Sequence, residues 1–159
     1  MLSKEKTLVN QDFKDLFRLF NEYKVKYLVV GAYAVIYYSE PRYTKDLDVW
    51  VEPSIENAGR VWKSLTAFGA PLEGVTLEDF CNPELVYQIG LAPNRIDVMM
   101  NIPGVEFSSA WEKKVESTYG GESIKIIALD DLITAKKTVD RDQDRIDVKS
   151  LEHAKSVKK

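Results

Sequence analysis

The sequence has few of the side chains on which several kinds of active site depend. Its 159 residues include one cysteine, Cys81, and one histidine, His153. A single thiol cannot form an internal disulfide or supply a thiolate zinc site. A single histidine gives little support to catalysis by a serine–histidine or cysteine–histidine pair. The composition therefore directs the search for chemistry toward carboxylates and basic side chains.

Long apolar runs and an excess of positive charge are also missing. No apolar stretch approaches the roughly 18 residues that a membrane span requires. Residues 1–14 are charged and have no apolar signal-peptide core, so we expect a cytoplasmic protein without a membrane partner. The net charge is −3, and the acids concentrate between residues 31 and 129. Binding of a polyanion would therefore need local basic groups or bridging metal ions.

The hydrophobic pattern alternates between helix and strand. Helices are predicted over residues 10–24, 32–39, 54–68 and 105–115 and at the C-terminus. Strands are predicted over residues 26–31, 46–52, 85–91, 95–100 and 124–128, with a hairpin between the third and the fourth. Asp130 is predicted to cap a helix that runs to Lys137. This order favours a single α/β or α+β domain over residues 1–159, with a mixed sheet and a helical C-terminal end.

Two aspartates share one face of a predicted strand. Asp46 and Asp48 are separated by one residue, so their carboxylates point the same way, together with Trp50. Like charges side by side need compensation, and a divalent cation such as Mg²⁺ or Mn²⁺ would supply it through oxygen ligands. The alternative is an exposed strand face that Arg42 and Lys45 neutralise.

A third aspartate interrupts another apolar strand. Asp97 lies between Ile96 and Val98, where an unpaired buried carboxylate would be costly. If its strand lies beside residues 46–52, the three aspartates can converge into a two-metal site for phosphoryl or nucleotidyl transfer. The alternative for Asp97 is a salt bridge with Arg95 or a capping role.

Residues 28–51 resemble the DNA polymerase β-like nucleotidyltransferase superfamily. In that superfamily a strand ends in Gly-Gly or Gly-Ser, and an apolar-flanked Asp-x-Asp follows at a spacing that matches Gly31 to Asp46. More narrowly, the chain is similar to small bacterial and archaeal members, including those of toxin–antitoxin and abortive-infection systems. The supporting block reads Leu132-Ile133-x-x-Lys136, then Arg141, then Asp144-x-x-Asp147. The resemblance covers about residues 25–152.

The resemblance implies a nucleotidyltransferase fold, with helices mainly on one face of the mixed sheet, and a set of site residues. Asp46, Asp48 and Asp97 would hold two divalent metal ions, and Asp97 would help to deprotonate the attacking hydroxyl. Gly31 and Ala32 would place backbone amides near the nucleotide phosphates. Ala32 stands where the family has a second glycine, and alanine resists a positive φ.

Three basic residues are further candidates for nucleotide binding. Arg42 and Lys45 lie beside the aspartate pair, and Lys136 lies on a predicted helix. Arg42 and Lys45 are equally open to interpretation as surface counter-charges, whereas for Lys136 a solvated side chain is the commoner case. Arg141, Asp144 and Asp147 are predicted to form an ion-pair cluster that fixes the last helix.

The implied reaction moves a nucleotide from an NTP, ATP among them, to a hydroxyl-type acceptor with Mg²⁺ or Mn²⁺ as cofactor. The acceptor is left open between a small molecule, an RNA end and a protein, and the toxin-type resemblance points to tRNA or protein. Two alternatives stand beside this one. The chain is a catalytically weak nucleotide-binding module, or it is a partner-binding protein, for example one half of a toxin–antitoxin pair or a homo-oligomer.

Overall fold

A computed structural model describes residues 9–39, 46–91 and 94–157. Within them, helices and strands alternate along the chain. The helices are α1 (Gln11–Glu22), α2 (Gly31–Tyr38), α3 (Ile55–Phe68), α4 (Phe107–Glu112), α5 (Leu129–Val139) and α6 (Asp142–Val157), with a 3₁₀ helix at Leu77–Cys81. The strands are β1 (Tyr27–Val30), β2 (Leu47–Val51), β3 (Val86–Ile89), β4 (Ile96–Met99), β5 (Val115–Tyr119) and β6 (Glu122–Ile126).

The six strands form one mixed sheet in the order β3-β4-β2-β1-β6-β5. The pairs β2–β4 and β1–β6 are parallel, whereas β1–β2 and the hairpins β3–β4 and β5–β6 are antiparallel. The α+β class, the mixed sheet, the 85–100 hairpin and the helical C-terminal end are thus confirmed.

The helices cover the sheet where the apolar side chains point. The rings of Phe17 and Phe20 on α1 pack against Tyr27 on β1, with centroids 6.0 and 5.3 Å apart. Helix α3 packs beside α1. On the opposite face Phe107 of α4 meets the ring of Trp50, 5.0 Å away. The aromatic side chains in these contacts are buried on both faces of the sheet, so the central strands lie in the core.

Local signals account for the ends of α3. The Ser54 hydroxyl accepts a hydrogen bond from the Asn57 backbone N–H, a standard N-cap. Gly69 ends the helix in the left-handed conformation, with φ of +88°. The predicted helix over residues 54–68 is therefore confirmed.

Two of the predicted helix boundaries were wrong, at the start of α5 and at the ends of α4. Helix α5 begins at Leu129 with Ala128 at the N-cap, so Asp130 lies inside the first turn and is not the cap. The predicted helix over residues 105–115 is shorter, because residue 115 already belongs to β5. In the described part of the chain, no helix combines the length and the apolar character needed to cross a lipid bilayer.

Candidate active site

The strand directions bring three chain segments together where the central strands end, which we call the sheet edge at Asp48. Strand β1 ends at Val30, whereas β2 and β4 begin at Leu47 and Ile96. Because β1 runs antiparallel to β2, and β2 runs parallel to β4, the end of β1 meets the beginnings of the other two. In register, Asp48 lies between Val30 on β1 and Asp97 on β4. We expected the aspartates to converge only if the strand of Asp97 lay beside that of Asp48. The pairing of β2 with β4 meets this condition.

Asp48 and Asp97 lie side by side in this cluster, as register partners on β2 and β4. Burial, followed by the nearby charges of Asp97 and Asp46, raises the pKa of Asp48 to about 7. Asp46 lies one residue before the start of β2, and its side chain is more exposed to solvent than that of Asp97. The cluster thus concentrates negative charge where at least one carboxyl group resists ionisation.

Arg95 provides the counter-charge. Its Nε and Nη2 donate to the two carboxylate oxygens of Asp97 at 2.8 and 3.1 Å. Nη2 also lies 3.4 Å from Asp46 Oδ2, and the Arg95 backbone N–H donates to Asp46 Oδ1 at 3.2 Å. The salt bridge named as the alternative for Asp97 is therefore present beside the contact with Asp48, and the two are compatible.

The donor chemistry of this cluster suits a hard divalent cation. All three side chains offer carboxylate oxygens, and a cation would offset the burial and the neighbouring charges that raise the pKa of Asp48. As they stand, the described residues include no group of three or more His, Cys, Asp or Glu side chains arranged to hold a metal ion. Arg95 holds Asp46 and Asp97 instead, so metal binding requires this guanidinium to give way.

Gly31 is fitted against Asp48 where β1 turns into α2. Its φ is +67°, and a Cβ at this position would lie 2.2 Å from Asp48 Oδ2. Any other side chain would therefore be strained and would displace the carboxylate. Ala32 lies inside α2 and is not among the described residues with positive φ. The left-handed position is filled by glycine, so alanine at position 32 meets no conformational obstacle.

A cavity connects this sheet edge with the C-terminal helices. It measures about 120 Å³. Gly31 and Asp48 line one side, and Lys136, Arg141 and Asp144 line the other. The sequence predicted Lys136 here. It did not assign Arg141 and Asp144 to the cavity, although both belong to the motif that carried the resemblance.

Buried ion pairs hold this second wall in place. Lys136 Nζ lies 3.3 Å from Asp144 Oδ1 and 3.0 Å from Asp147 Oδ2. Arg141 Nε donates to Asp144 Oδ2 at 2.8 Å. Both aspartates are at most 2% exposed. The predicted ion-pair cluster is confirmed as a contact between α5 and α6, and it includes Lys136 as well.

Two of the predicted nucleotide-binding residues cannot be placed. Arg42 and Lys45 lie in residues 40–45, outside the described residues. The other predicted residues lie near this site. Gly31, Asp48 and Lys136 line the cavity. Ala32, Asp46 and Asp97 lie at or next to the sheet edge.

Solved structures with a similar fold exist. The lincosamide antibiotic adenylyltransferase LnuA, in a lincomycin-bound structure, matches with a TM-score of 0.60 at 16% identity, over 92% of this chain and 98% of that one. The antibiotic-resistance factor ANT(2'')-Ia matches with a TM-score of 0.56 at 13% identity, over 94% and 83%. A candidate nucleotidyltransferase from Thermotoga maritima matches with a TM-score of 0.56 at 11% identity, over 98% and 96%. No protein-family model and no curated protein matches this chain.

Proposed function

Starting from the nucleotidyltransferase fold that the chain shares with these structures, we propose that it transfers a nucleotide from an NTP to a hydroxyl group in a reaction that depends on a divalent metal ion. One observation carries this proposal. Asp48 and Asp97 stand side by side on parallel strands. The backbone of Gly31 approaches Asp48 so closely that a side chain on residue 31 would collide with the carboxylate. Asp97 is buried and Asp48 is partly buried. Such a carboxylate pair, against a turn without a side chain, is an arrangement suited to phosphate chemistry.

The roles follow from position. Asp46, Asp48 and Asp97 would hold Mg²⁺ or Mn²⁺, which supplies charge neutralisation for the phosphates. Asp97 accepts the proton of the acceptor hydroxyl, whose oxygen attacks the α-phosphorus. The bond between the α-phosphorus and the bridging oxygen breaks, and pyrophosphate leaves. Lys136 faces the phosphates across the cavity, and the backbone amides of Gly31 and Ala32 lie at the N-terminus of α2, where anions are favoured.

The acceptor is a small molecule, an RNA or a protein, and different observations favour different members of this set. LnuA is a lincosamide adenylyltransferase, and this supports ATP as the donor and a small-molecule hydroxyl as the acceptor. The resemblance to toxin-type members supports tRNA or protein as the acceptor. Incubation with α-labelled ATP and separated pools of small molecules, RNA and protein assigns the label to one class.

Thermal melting tests the donor site before any acceptor is known. We expect an NTP with Mn²⁺ to raise the melting temperature of the wild type, because ligands that bind only the folded state stabilise it. We expect Asp48→Asn to abolish this shift, whereas Asp12→Asn on α1 retains it. Equal shifts in the wild type and in Asp48→Asn would contradict the proposed site.

A nucleotide-binding module without turnover is the second candidate. The observation in its favour is the hold of Arg95 on Asp46 and Asp97, the carboxylates that a metal would need. If Arg95 merely yields to the metal, Arg95→Gln tightens Mn²⁺ binding measured by calorimetry, and labelled nucleotide is still transferred. Mn²⁺ and NTP binding without transfer to any pool, in both proteins, would establish the module instead. Arg145→Gln, at an exposed pair on α6, is the matched control.

A further inference from the structure

The cavity that joins Asp48 to the C-terminal helices includes the end of β1 and leaves out Asp97. Asp48 is flanked in register by Val30 on β1 and by Asp97 on β4. Val30 and Gly31 line the cavity together with Asp48, whereas Asp97 does not. In the proposed reaction Asp97 receives the proton of the attacking hydroxyl, and an in-line displacement expels the leaving group on the side opposite the attacking oxygen. The cavity therefore lies on the side from which pyrophosphate departs.

Two basic residues line this cavity, and they differ in how far their charges are already used. Lys136 is 14% exposed, and its Nζ lies within 3.3 Å of carboxylate oxygens of both Asp144 and Asp147, which are buried. The side chain of Arg141 is 73% exposed. A positive charge held between two buried carboxylates offers little further attraction to an incoming anion. Arg141 is thus the basic residue of this cavity that is open to a phosphate group.

One carboxylate anchors the Arg141 guanidinium and leaves part of it unused. Nε of Arg141 donates to Asp144 Oδ2 at 2.8 Å, and the Arg141 backbone N–H donates to the same oxygen at 3.1 Å. Nη2 lies 3.4 Å from Oδ1. Among the residues that the structure describes, Nη1 has no hydrogen-bond partner. Because Asp144 is itself buried, this guanidinium has a fixed support and still keeps donors for an oxygen-rich anion.

We propose that Arg141 binds the phosphate groups that leave as pyrophosphate, and that Asp144 and Lys136 position its guanidinium. This inference rests on the proposed nucleotide transfer. When the bond between the α-phosphorus and the bridging oxygen breaks, that oxygen keeps the electron pair, and the departing pyrophosphate gains negative charge. The guanidinium offsets this charge. The N-terminus of α2, at Gly31, lies on the opposite wall of the same cavity.

Calorimetric titrations of the full chain with three ligands, each with Mn²⁺, test the inference. ATP carries the leaving phosphates, inorganic pyrophosphate consists of them alone, and AMP lacks them. We expect Arg141→Gln to weaken binding of ATP and of pyrophosphate about 10- to 100-fold, as loss of hydrogen bonds from a charged group predicts, and to leave binding of AMP unchanged. Arg145→Gln, at an exposed pair on α6 that does not line the cavity, should bind all three ligands like the wild type.

A conservative variant separates phosphate contact from a purely structural role of Arg141. Arg141→Lys keeps the charge but loses the paired donors, so it should weaken ATP binding less than Arg141→Gln does, and it takes the place of that variant if Arg141→Gln fails to fold. ATP affinity equal to that of the wild type would overturn the inference. Equal losses of ATP and AMP affinity would overturn it as well. A wild type that binds none of the three ligands would contradict the proposed function itself.

Discussion

The Asp48 carboxyl makes the stability of the metal-free protein depend on pH. Burial, and then the charges of Asp97 and Asp46, raise its pKa to about 7, whereas an aspartate in an unfolded chain has a pKa of about 4. The folded state therefore binds this proton more tightly than the unfolded state. The resulting contribution to the free energy of unfolding is present at low pH, is lost as the pH rises from about 4 to about 7, and does not return above that range.

Asp48→Asn removes this loss. At pH 8, without metal, we expect the variant to unfold at a temperature about 6 °C above the wild type, for a gain on the order of 2 kcal/mol. At pH 4 the two proteins are expected to melt together. Circular-dichroism melts with a chelator across this pH range provide the measurement, with Asp12→Asn as the control. A variant that is no more stable than the wild type at pH 8 would show that the carboxylate cluster imposes no cost.

Gly31 lies in the turn beside Asp48, and Gly69, at the end of α3, is a matched control for it. Both have positive φ, but a Cβ at Gly69 meets nothing within 4 Å, whereas a Cβ at Gly31 meets the Asp48 carboxylate. We expect Gly69→Ala to lower the free energy of unfolding by about 1 kcal/mol through backbone strain. Gly31→Ala should lower it by at least as much, because its Cβ also meets Asp48.

The two glycine variants are expected to differ in ligand binding. Gly31→Ala displaces Asp48 and should weaken Mn²⁺ and NTP binding about tenfold or more, the range found when metal ligands lose their support. Gly69→Ala should bind like the wild type in calorimetry. If both variants bind equally well, the turn has no part in the site.

At the scale of secondary-structure elements, neighbouring lysines on α5 differ sharply in environment. Lys136 is 14% exposed and pairs with two buried aspartates, whereas Lys137 is 57% exposed and pairs with exposed Glu152. Removing one partner of a buried pair leaves an uncompensated charge. We therefore expect Lys136→Met to cost about 3 kcal/mol in urea unfolding, and Lys137→Met less than about 1 kcal/mol.

A double variant tests the reason for that difference. Asp144 keeps its contact with Arg141 when Lys136 is replaced. Asp147→Asn added to Lys136→Met removes the other carboxylate that loses the Lys136 charge, and should recover part of the lost stability. If the double variant is as unstable as the sum of its single variants, the cost of Lys136→Met comes from lost packing and not from charge.

Local chemistry explains which elements the sequence predicted well. The alternation over residues 46–52 and the capping residues Ser54 and Gly69 each act within a few residues, so they can be predicted without the rest of the chain. Asp130 shows the limit of such signals. An acidic residue favours the N-cap and the first turn of a helix alike, and in α5 Asp130 occupies the first turn, where it pairs with Lys155 at 2.7 Å.

The whole molecule determines what the sequence could not predict about the site. Asp48 and Asp97 meet because β2 and β4 pair in parallel, and the chain between them includes α3 and the β3 strand. No periodicity specifies such a pairing or its register. The hold of Arg95 on two carboxylates and the position of Arg141 beside the cavity depend on it. The three aspartates and the pairing of Arg95 with Asp97 could thus be predicted as candidates, whereas the contact of Arg95 with Asp46 required the structure.

Hydrogen exchange can show whether the two distant parts of the chain act as one site. The cavity joins Gly31 and Asp48 at the sheet edge to Lys136 and Arg141 in the C-terminal segment. We expect ATP with Mn²⁺ to slow amide exchange both at the start of α2 and in the second half of α5, because one ligand contacts both walls. Strand β5, at the far edge of the sheet, should be unaffected. Asp48→Asn should lose protection in both segments together. Protection of α5 that survives in this variant would mean that the nucleotide binds the helices alone, and the carboxylates would then have no part in holding it.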